Sequence, residues 1–125
     1  GHCLAGGGDP LALAKVAPRR IRHVHLKDVD AALAARVRTG ELTYTEAVAA
    51  GMYRPLGAGD ARVADIVATL EAAGYDGWYV LEQDRILPAP RGGEDDPTDA
   101  NQRAAAAIRA DVDASLAHLR AALPV

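Results

Sequence analysis

Apolar and polar residues alternate in two short segments of this chain, residues 21–26 and 78–82. Both segments are rich in β-branched, aromatic or other apolar residues, which is typical of strands. Side chains alternate between the two faces of a strand, so His23 and His25 share a face of the first segment. Glu82 lies at the C-terminal end of the second segment. The pattern therefore predicts two strands with a polar side chain near the carboxyl end of each.

Helical periodicity is clearest after residue 60, where apolar residues recur at the i, i+3, i+4 and i+7 positions of one face. Asp60 is expected to cap this helix, and Gly74 to end it. Asp9 before Pro10 predicts another helix start, and Thr43 with Glu46 predicts a capping box. The predicted helices are 11–17, 29–38, 43–50, 60–73 and 98–122, with loops at 53–59 and 85–97.

The order of these elements is helix, strand, helices, strand, helix, which predicts an α/β fold with parallel strands and crossover helices. Two strands are too few for a sheet that is buried on both faces. The chain also begins at Gly1 in what reads as a strand-to-helix loop. We therefore expect residues 1–125 to be a C-terminal fragment of one domain, about the last two βα units of a (β/α)₈ TIM barrel. A doubly wound sheet stays open from the pattern alone.

Two parallel strands that end side by side would bring His25 and Glu82 together, where parallel α/β folds place their chemistry. An imidazole with a carboxylate suits a divalent metal. The alternatives are a histidine bonded to a backbone carbonyl and a glutamate paired with an arginine. His23 lies one layer deeper and is expected to support or pack rather than to ligate.

Charge and composition narrow the function further. A net charge of −3 disfavours nucleic-acid and anionic-membrane binding, and no apolar run approaches the roughly 18 residues of a membrane span. The single cysteine, Cys3, fits a reducing, cytoplasmic setting and is expected to be a buried loop residue. Trp78 is expected in the core and His118 in solvent. The glycines at 57 and 59 predict a turn, because the third glycine of a dinucleotide loop is absent.

Several motifs together resemble the inosose dehydratase family of xylose-isomerase-like TIM barrels, in the sugar phosphate isomerase/epimerase superfamily. They are HVHLKDV at 23–29, GGGDP at 6–10, PLGAGD at 55–60, GYDGW at 74–78 and EQD at 82–84. The resemblance implies a divalent metal, Mn²⁺ or Co²⁺, held by Glu, Asp, His and Glu from the last four strands. His25 and Glu82 match the last two ligands, and the other two would precede Gly1.

The implied activity is dehydration of an inosose, a 2-keto-inositol, to a trihydroxycyclohexane-dione in inositol catabolism. Glu82 would take or relay a proton, and Lys27 would steady the enolate oxygen or aid the leaving group. An ion pair of Lys27 with Asp28 is the alternative for that residue. His2 would contact substrate hydroxyls, or instead cap the loop.

Three other functions stay open. A ketose or sugar phosphate epimerase or isomerase of the same superfamily would also begin by removing a proton next to a ketone. A nuclease of the related abasic-site endonuclease barrels is disfavoured by the acidic balance and the lack of basic-aromatic clusters. The chain could also be an inactive truncated fragment with an exposed sheet edge. The expected partner is a small polyol-ketone or sugar, and the long last helix is compatible with a homo-oligomer.

Overall fold

The computed structural model describes residues 1–87 and 97–124. Within them the chain forms an α/β fold of six helices and four short strands, and residues 88–96 of the predicted loop lie outside the described residues. The helices are α1 (His2–Ala5), α2 (Pro10–Val16), α3 (Ala31–Arg38), α4 (Tyr44–Ala49), α5 (Val63–Ala72) and α6 (Pro97–Ala122). The strands are β1 (His23–Leu26), β2 (Asp28–Val29), β3 (Tyr53–Arg54) and β4 (Trp78–Leu81), and a 3₁₀ turn, Pro18–Arg20, precedes β1.

The two predicted strands pair in parallel, as expected. His25 of β1 lies opposite Val80 of β4, and the backbone N–H of Glu82 extends the ladder by donating to the carbonyl of Leu26 at 3.0 Å. A second, antiparallel pair joins β2 to β3 and places Val29 opposite Tyr53. The sequence did not predict this pair, because strands of two residues show no periodicity.

The two faces of the β1–β4 sheet have different surroundings. One face packs against α5 and α6 through Leu26 and its apolar neighbours Val24, Tyr79 and Leu81. The opposite face carries His23, His25 and Trp78, and the indole is 75% exposed. The expectation that Trp78 lies in the core is therefore wrong for the described part of the chain, because no described element covers that face.

A second apolar cluster lies beside the strand ends. It joins Val29 of β2 and Met52 and Tyr53 around β3 to residues of α3 and α4. Met52 and Val29 are fully buried, and Tyr53 is 6% exposed. The two helices after β1 therefore pack the β3 strand against the exit of β1.

The carboxylate of Asp28 organises the loop that follows β3. It is 1% exposed and accepts hydrogen bonds from the backbone N–H groups of Val29, Gly57, Gly59 and Ala61 at 2.8–3.1 Å. A Cβ at Gly59 would lie 2.5 Å from Oδ1 of Asp28, and Gly57 has a φ of +86°. The glycines at 57 and 59 thus form the predicted turn, and each is needed for close approach or for a left-handed backbone.

Two of the predicted helix starts are confirmed. Asp9 caps α2, where its side chain accepts from the backbone N–H of Ala12. Thr43 and Glu46 form a reciprocal capping box at the start of α4. Both motifs act within one turn of chain, so the local sequence is sufficient to predict them.

The predicted cap at Asp60 is wrong. Oδ2 of Asp60 accepts from the backbone N–H of Ala31 at 2.8 Å, at the first turn of α3, which lies far away in sequence. The residue before α5 is Arg62, which has a φ of 55° and no side-chain capping bond. Asp60 therefore satisfies a helix terminus brought to it by tertiary structure rather than the helix that follows it.

Two further expectations are corrected. Cys3 is exposed because residues 2–5 form the short helix α1 instead of a buried loop. His118 packs against Gly57, and its Nε2 is buried without a hydrogen-bond partner in the described residues. One turn earlier in α6, the buried hydroxyl of Ser115 accepts from the backbone N–H of Leu56 at 3.0 Å. Helix α6 therefore lies against the 55–59 turn, and His118 is drawn out of solvent.

None of the helices in the described ranges is long and apolar enough to cross a bilayer.

We predict that Asp28→Asn lowers the free energy of unfolding by about 3 kcal/mol, because an amide cannot accept from all the backbone N–H groups that the carboxylate satisfies. Urea unfolding followed by circular dichroism measures the change. Asp65→Asn is the matched control, because Asp65 forms an exposed pair with Arg62 and its loss should change stability by less than about 0.5 kcal/mol. Equal stabilities of the two variants would contradict the role assigned to Asp28.

Asp30 makes a pH-dependent contribution. The backbone N–H of Leu33 and the guanidinium of Arg54 hydrogen-bond its carboxylate and lower its pKa below the ordinary 3.8. Because the folded pKa is the lower one, this stabilisation is present above the unfolded pKa and is lost as the pH falls through the folded pKa.

Asp30 is the N-cap of α3. We predict that stability falls less steeply in Asp30→Asn than in the parent between about pH 5 and pH 2.5, since asparagine can cap α3 without titrating. Urea midpoints measured at several pH values test this. Parallel pH profiles of the two proteins would show that Asp30 contributes nothing to the acid sensitivity.

Candidate active site

His25 and Glu82 meet at the carboxyl ends of β1 and β4. Nδ1 of His25 lies 3.0 Å from Oε2 of Glu82. The register explains the contact, because His25 is opposite Val80 and Glu82 follows on the same face two residues later. The predicted proximity of the two side chains is confirmed, whereas their role as metal ligands stays a prediction.

Lys27 continues the same face of β1 and is almost completely enclosed. Its ammonium donates to Oε1 of Glu82 at 2.5 Å and to Oδ2 of Asp84 at 2.6 Å, and its side chain is 1% exposed. The alternative pairing with Asp28 is wrong, because consecutive residues of an extended chain point in opposite directions. Lys27 points towards Glu82, while Asp28 points towards the 57–61 turn.

The charges in this cluster stabilise one another. Burial acts to lower the pKa of Lys27, but hydrogen bonds to Asp84 and Glu82 outweigh burial, so this pKa is raised above its ordinary value. The hydrogen bond from Lys27 lowers the pKa of Glu82, against the effect of burial and with help from His25. At neutral pH the cluster therefore contains a lysine ammonium and an ionised Glu82 carboxylate.

His2 enters the same cluster from α1. Its Nε2 lies 3.4 Å from Nζ of Lys27, and the edge of its ring packs against Tyr53, with centroids 5.7 Å apart and planes at 84°. The sequence predicted His2 as a substrate contact, and the structure places it beside Lys27. Its contact with substrate stays a prediction.

Asp84 and Tyr53 were missed by the sequence reasoning. Asp84 could have been found, because it continues the alternation of β4 two residues after Glu82. Tyr53 gave no such signal, since it is the first residue of the segment 53–59 that the sequence predicted to be a loop. Nζ of Lys27 lies 4.5 Å from the centroid of the Tyr53 ring, so this tyrosine forms one wall of the cluster.

His23 lies behind His25, as predicted. The ring centroids are 5.2 Å apart, and His23 is opposite Trp78 at the start of β4. Its side chain is exposed and lies at the far end of the strand from Glu82. This position is consistent with a supporting role and stays untested.

Two sets of donor atoms could accept a metal ion. Ligand atoms of His2, Glu82 and Asp84 lie within 4.8 Å of one another, but the ammonium of Lys27 contacts all three residues. That positive charge disfavours a second cation in the same place. The other oxygen of Glu82 faces His25, which offers an imidazole nitrogen beside a carboxylate oxygen on a side chain that is 56% exposed. This second donor set fits a divalent transition metal.

Glu82 has no arginine partner in the described residues, where its side chain contacts Lys27 and His25. The alternative of an arginine ion pair is therefore not what the structure contains. His25 likewise bonds Glu82 rather than a backbone carbonyl. Both observations leave the two side chains directed at each other.

A cleft of about 410 Å³ opens beside these residues. Its volume is typical of a pocket for a small molecule. One part of its wall is polar, and the rest is apolar and comes from α2, α5 and β1. The polar lining includes His2, His23, His25, Lys27 and Glu82.

Comparisons with known proteins identify the family of this chain. Residues 1–113 match the family model described as xylose isomerase-like TIM barrel. An inosose dehydratase of Geobacillus thermodenitrificans is 39% identical over 92 residues, covering 72% of this chain and 31% of that protein. The rhizopine catabolism protein MocC of Rhizobium meliloti is 38% identical over 85 residues, covering 68% of the chain and 26% of that protein.

An inosose dehydratase of Clostridium botulinum is 31% identical over 101 residues, covering 81% of the chain and 30% of that protein. The chain thus spans between 26% and 31% of the length of these curated relatives. No solved structure matches it. The family match covers nearly the whole chain, and the polar cluster lies at the carboxyl ends of the parallel strands, the face where TIM barrels place their active sites. The chain therefore belongs to the xylose isomerase-like TIM barrel family.

Proposed function

We propose that these residues form the C-terminal part of a single (β/α)₈ barrel that dehydrates an inosose, the ketone of a cyclic polyol, to a dione in inositol breakdown. The observation that carries the proposal is the enclosed Lys27 amino group, which is hydrogen-bonded to Glu82 and Asp84 beside His25 at the strand ends. The inosose dehydratases among the relatives support the substrate class. The single cysteine supports a reducing, cytoplasmic setting.

The reaction has two demanding parts. A proton must leave the carbon next to the ketone, and hydroxide must leave the following carbon, so that one water is lost in total. The Glu82 carboxylate takes or relays the proton, and the Lys27 ammonium donates one to the departing hydroxide or hydrogen-bonds the enolate oxygen. The lowered pKa of Glu82 keeps the carboxylate ionised but makes it a weak base. It can therefore remove the proton next to the ketone only if that C–H group is made more acidic than usual.

His25 and Glu82 would hold a divalent ion, Mn²⁺ or Co²⁺, whose imidazole and carboxylate ligands suit either metal. When bound, the ion supplies Lewis-acid stabilisation of the negative charge that develops on the ketone oxygen. Both Lys27 and His2 line the cleft, which supports their proposed role in binding the substrate's oxygens.

We predict that Lys27→Met in the intact barrel lowers kcat by at least about 100-fold, because the methionine side chain can neither donate a proton nor carry a positive charge. Lys27→Arg keeps the charge but is expected to recover only part of the rate, since the guanidinium is larger and a far weaker acid. Asp65→Asn, on the exposed surface of α5, is the control. Product analysis accompanies the rates, because a dione indicates dehydration.

An inverted ketose as the product would instead indicate the epimerase or isomerase alternative. Full activity of the Lys27→Met protein would refute the role of Lys27. If the 125-residue chain alone is inactive while the intact barrel is active, the chain is a fragment whose missing strands are needed for chemistry.

Metal binding is predicted to depend on His25 and Glu82 but not on Asp84. In calorimetric titrations of the intact barrel with Mn²⁺, His25→Ala and Glu82→Gln should weaken binding by about 10-fold or more, as ligand loss does. Asp84→Asn should leave the affinity within about threefold, because Asp84 is bound to Lys27. If Asp84→Asn weakens Mn²⁺ binding as much as His25→Ala does, the ion occupies the His2–Glu82–Asp84 group instead.

A further inference from the structure

Tyr53 contacts two of the proposed substrate-binding groups at once. We infer that Tyr53 is a positioning residue whose ring fixes both His2 and Lys27 in the geometry that the reaction needs. The inference rests on the proposed function, because it assigns to Tyr53 an effect exerted through those two side chains. Neither the family match nor the names of the relatives assign this role.

The first step of the argument is the contact with Lys27. Lysine has a long stem with several rotatable bonds, so its ammonium is mobile unless several groups hold it. Here Glu82 and Asp84 bind the ammonium. The centroid of the Tyr53 ring lies 4.5 Å from Nζ of Lys27. A cation attracted to a ring quadrupole is held most strongly where water is excluded, and the Lys27 side chain is 1% exposed.

The second step is the contact with His2. Helix α1, which carries His2, has only four residues and no side-chain cap at its start, and the histidine is exposed. A helix this short gives little rigidity of its own. The imidazole of His2 packs edge-to-face on the ring of Tyr53, and this ring is buried. The position of His2 therefore depends on the position of Tyr53.

The third step is that Tyr53 itself is held. It is 6% exposed, its backbone pairs with Val29, and its hydroxyl lies 3.1 Å from the hydroxyl of Tyr44 on α4. Buried aromatic rings with a satisfied hydroxyl occupy a single orientation. The same ring can therefore define the places of two side chains that come from α1 and β1.

If Tyr53 had only a structural role, its loss would have the same effect as the loss of another tyrosine of the fold. Tyr79 is the tyrosine used for this comparison. Tyr79 is half-buried, packs in the other apolar cluster and donates its hydroxyl to Glu71 at 2.8 Å. It has no described contact with His2 or Lys27. Loss of the Tyr79 ring therefore measures the general cost of removing a tyrosine from this fold.

Nuclear magnetic resonance of the intact barrel tests the geometry directly. Protons over an aromatic face are shifted upfield, so the ε-methylene of Lys27 should resonate upfield of its ordinary position in the parent. The shift should persist in Tyr53→Phe and in Tyr79→Leu and vanish in Tyr53→Leu. An unshifted Lys27 signal in the parent would overturn the inference, even if the leucine variant failed to fold.

Kinetics of the intact barrel test the consequence. Tyr53→Leu should lower kcat by about 100-fold, with a smaller change in KM, because misplacing a reacting group by about 1 Å costs this much. Tyr53→Phe, which keeps the ring, should restore the rate to within about fivefold of the parent. Tyr79→Leu should retain the parental kcat.

The outcomes separate the inference from the proposed function. If Lys27→Met abolishes activity while Tyr53→Leu does not, the inference is wrong and the proposed function stands. If Lys27→Met keeps full activity, the proposed function fails and the role of Tyr53 fails with it. If Tyr53→Phe and Tyr53→Leu lose activity equally, the hydroxyl rather than the ring is responsible, and the inference is also overturned.

Discussion

The buried carboxylate of Asp28 is the constraint on which the rest of the molecule depends. A carboxylate with 1% exposure is tolerated only where hydrogen bonds replace the water it has lost, and four backbone N–H groups do so. Those groups belong to the strand exit and to the 57–61 turn, so one side chain fixes both. Because Lys27 precedes Asp28 on an extended chain, holding Asp28 on one side also directs Lys27 to the other.

The charges at the strand ends follow from that placement. Lys27 brings one ammonium between Glu82 and Asp84, and its positive charge lets the two carboxylates lie close together. The two oxygens of Glu82 then have different partners, with Oε1 bound to Lys27 and Oε2 facing His25. This asymmetry is the physical basis of the two proposed roles, proton transfer at the Lys27 side of Glu82 and metal binding at the His25 side.

Local sequence was sufficient for the features that depend on short-range geometry. The period of two in β1 and β4, with the parallel pairing, predicted that His25 and Glu82 would meet, and a capping box marked the start of α4. Features set by distant parts of the chain could not be predicted in this way. Asp60 accepts a hydrogen bond from the first turn of α3 rather than capping α5, and the partial burial of His118 depends on the docking of α6. The exposure of Trp78 depends on what covers one face of the sheet.

Tyr53 shows why the segment between β1 and β4 matters to chemistry. The pattern of that segment predicts helices and a turn, none of which bears a reactive group. Yet α3 and α4 pack around Val29 and Met52 and so press β3 against the exit of β1. The result is an aromatic wall beside Lys27 that neither β1 nor β4 could supply, since their own side chains on that face are polar near the carboxyl ends. Packing far from the reacting groups thus becomes a determinant of where those groups lie.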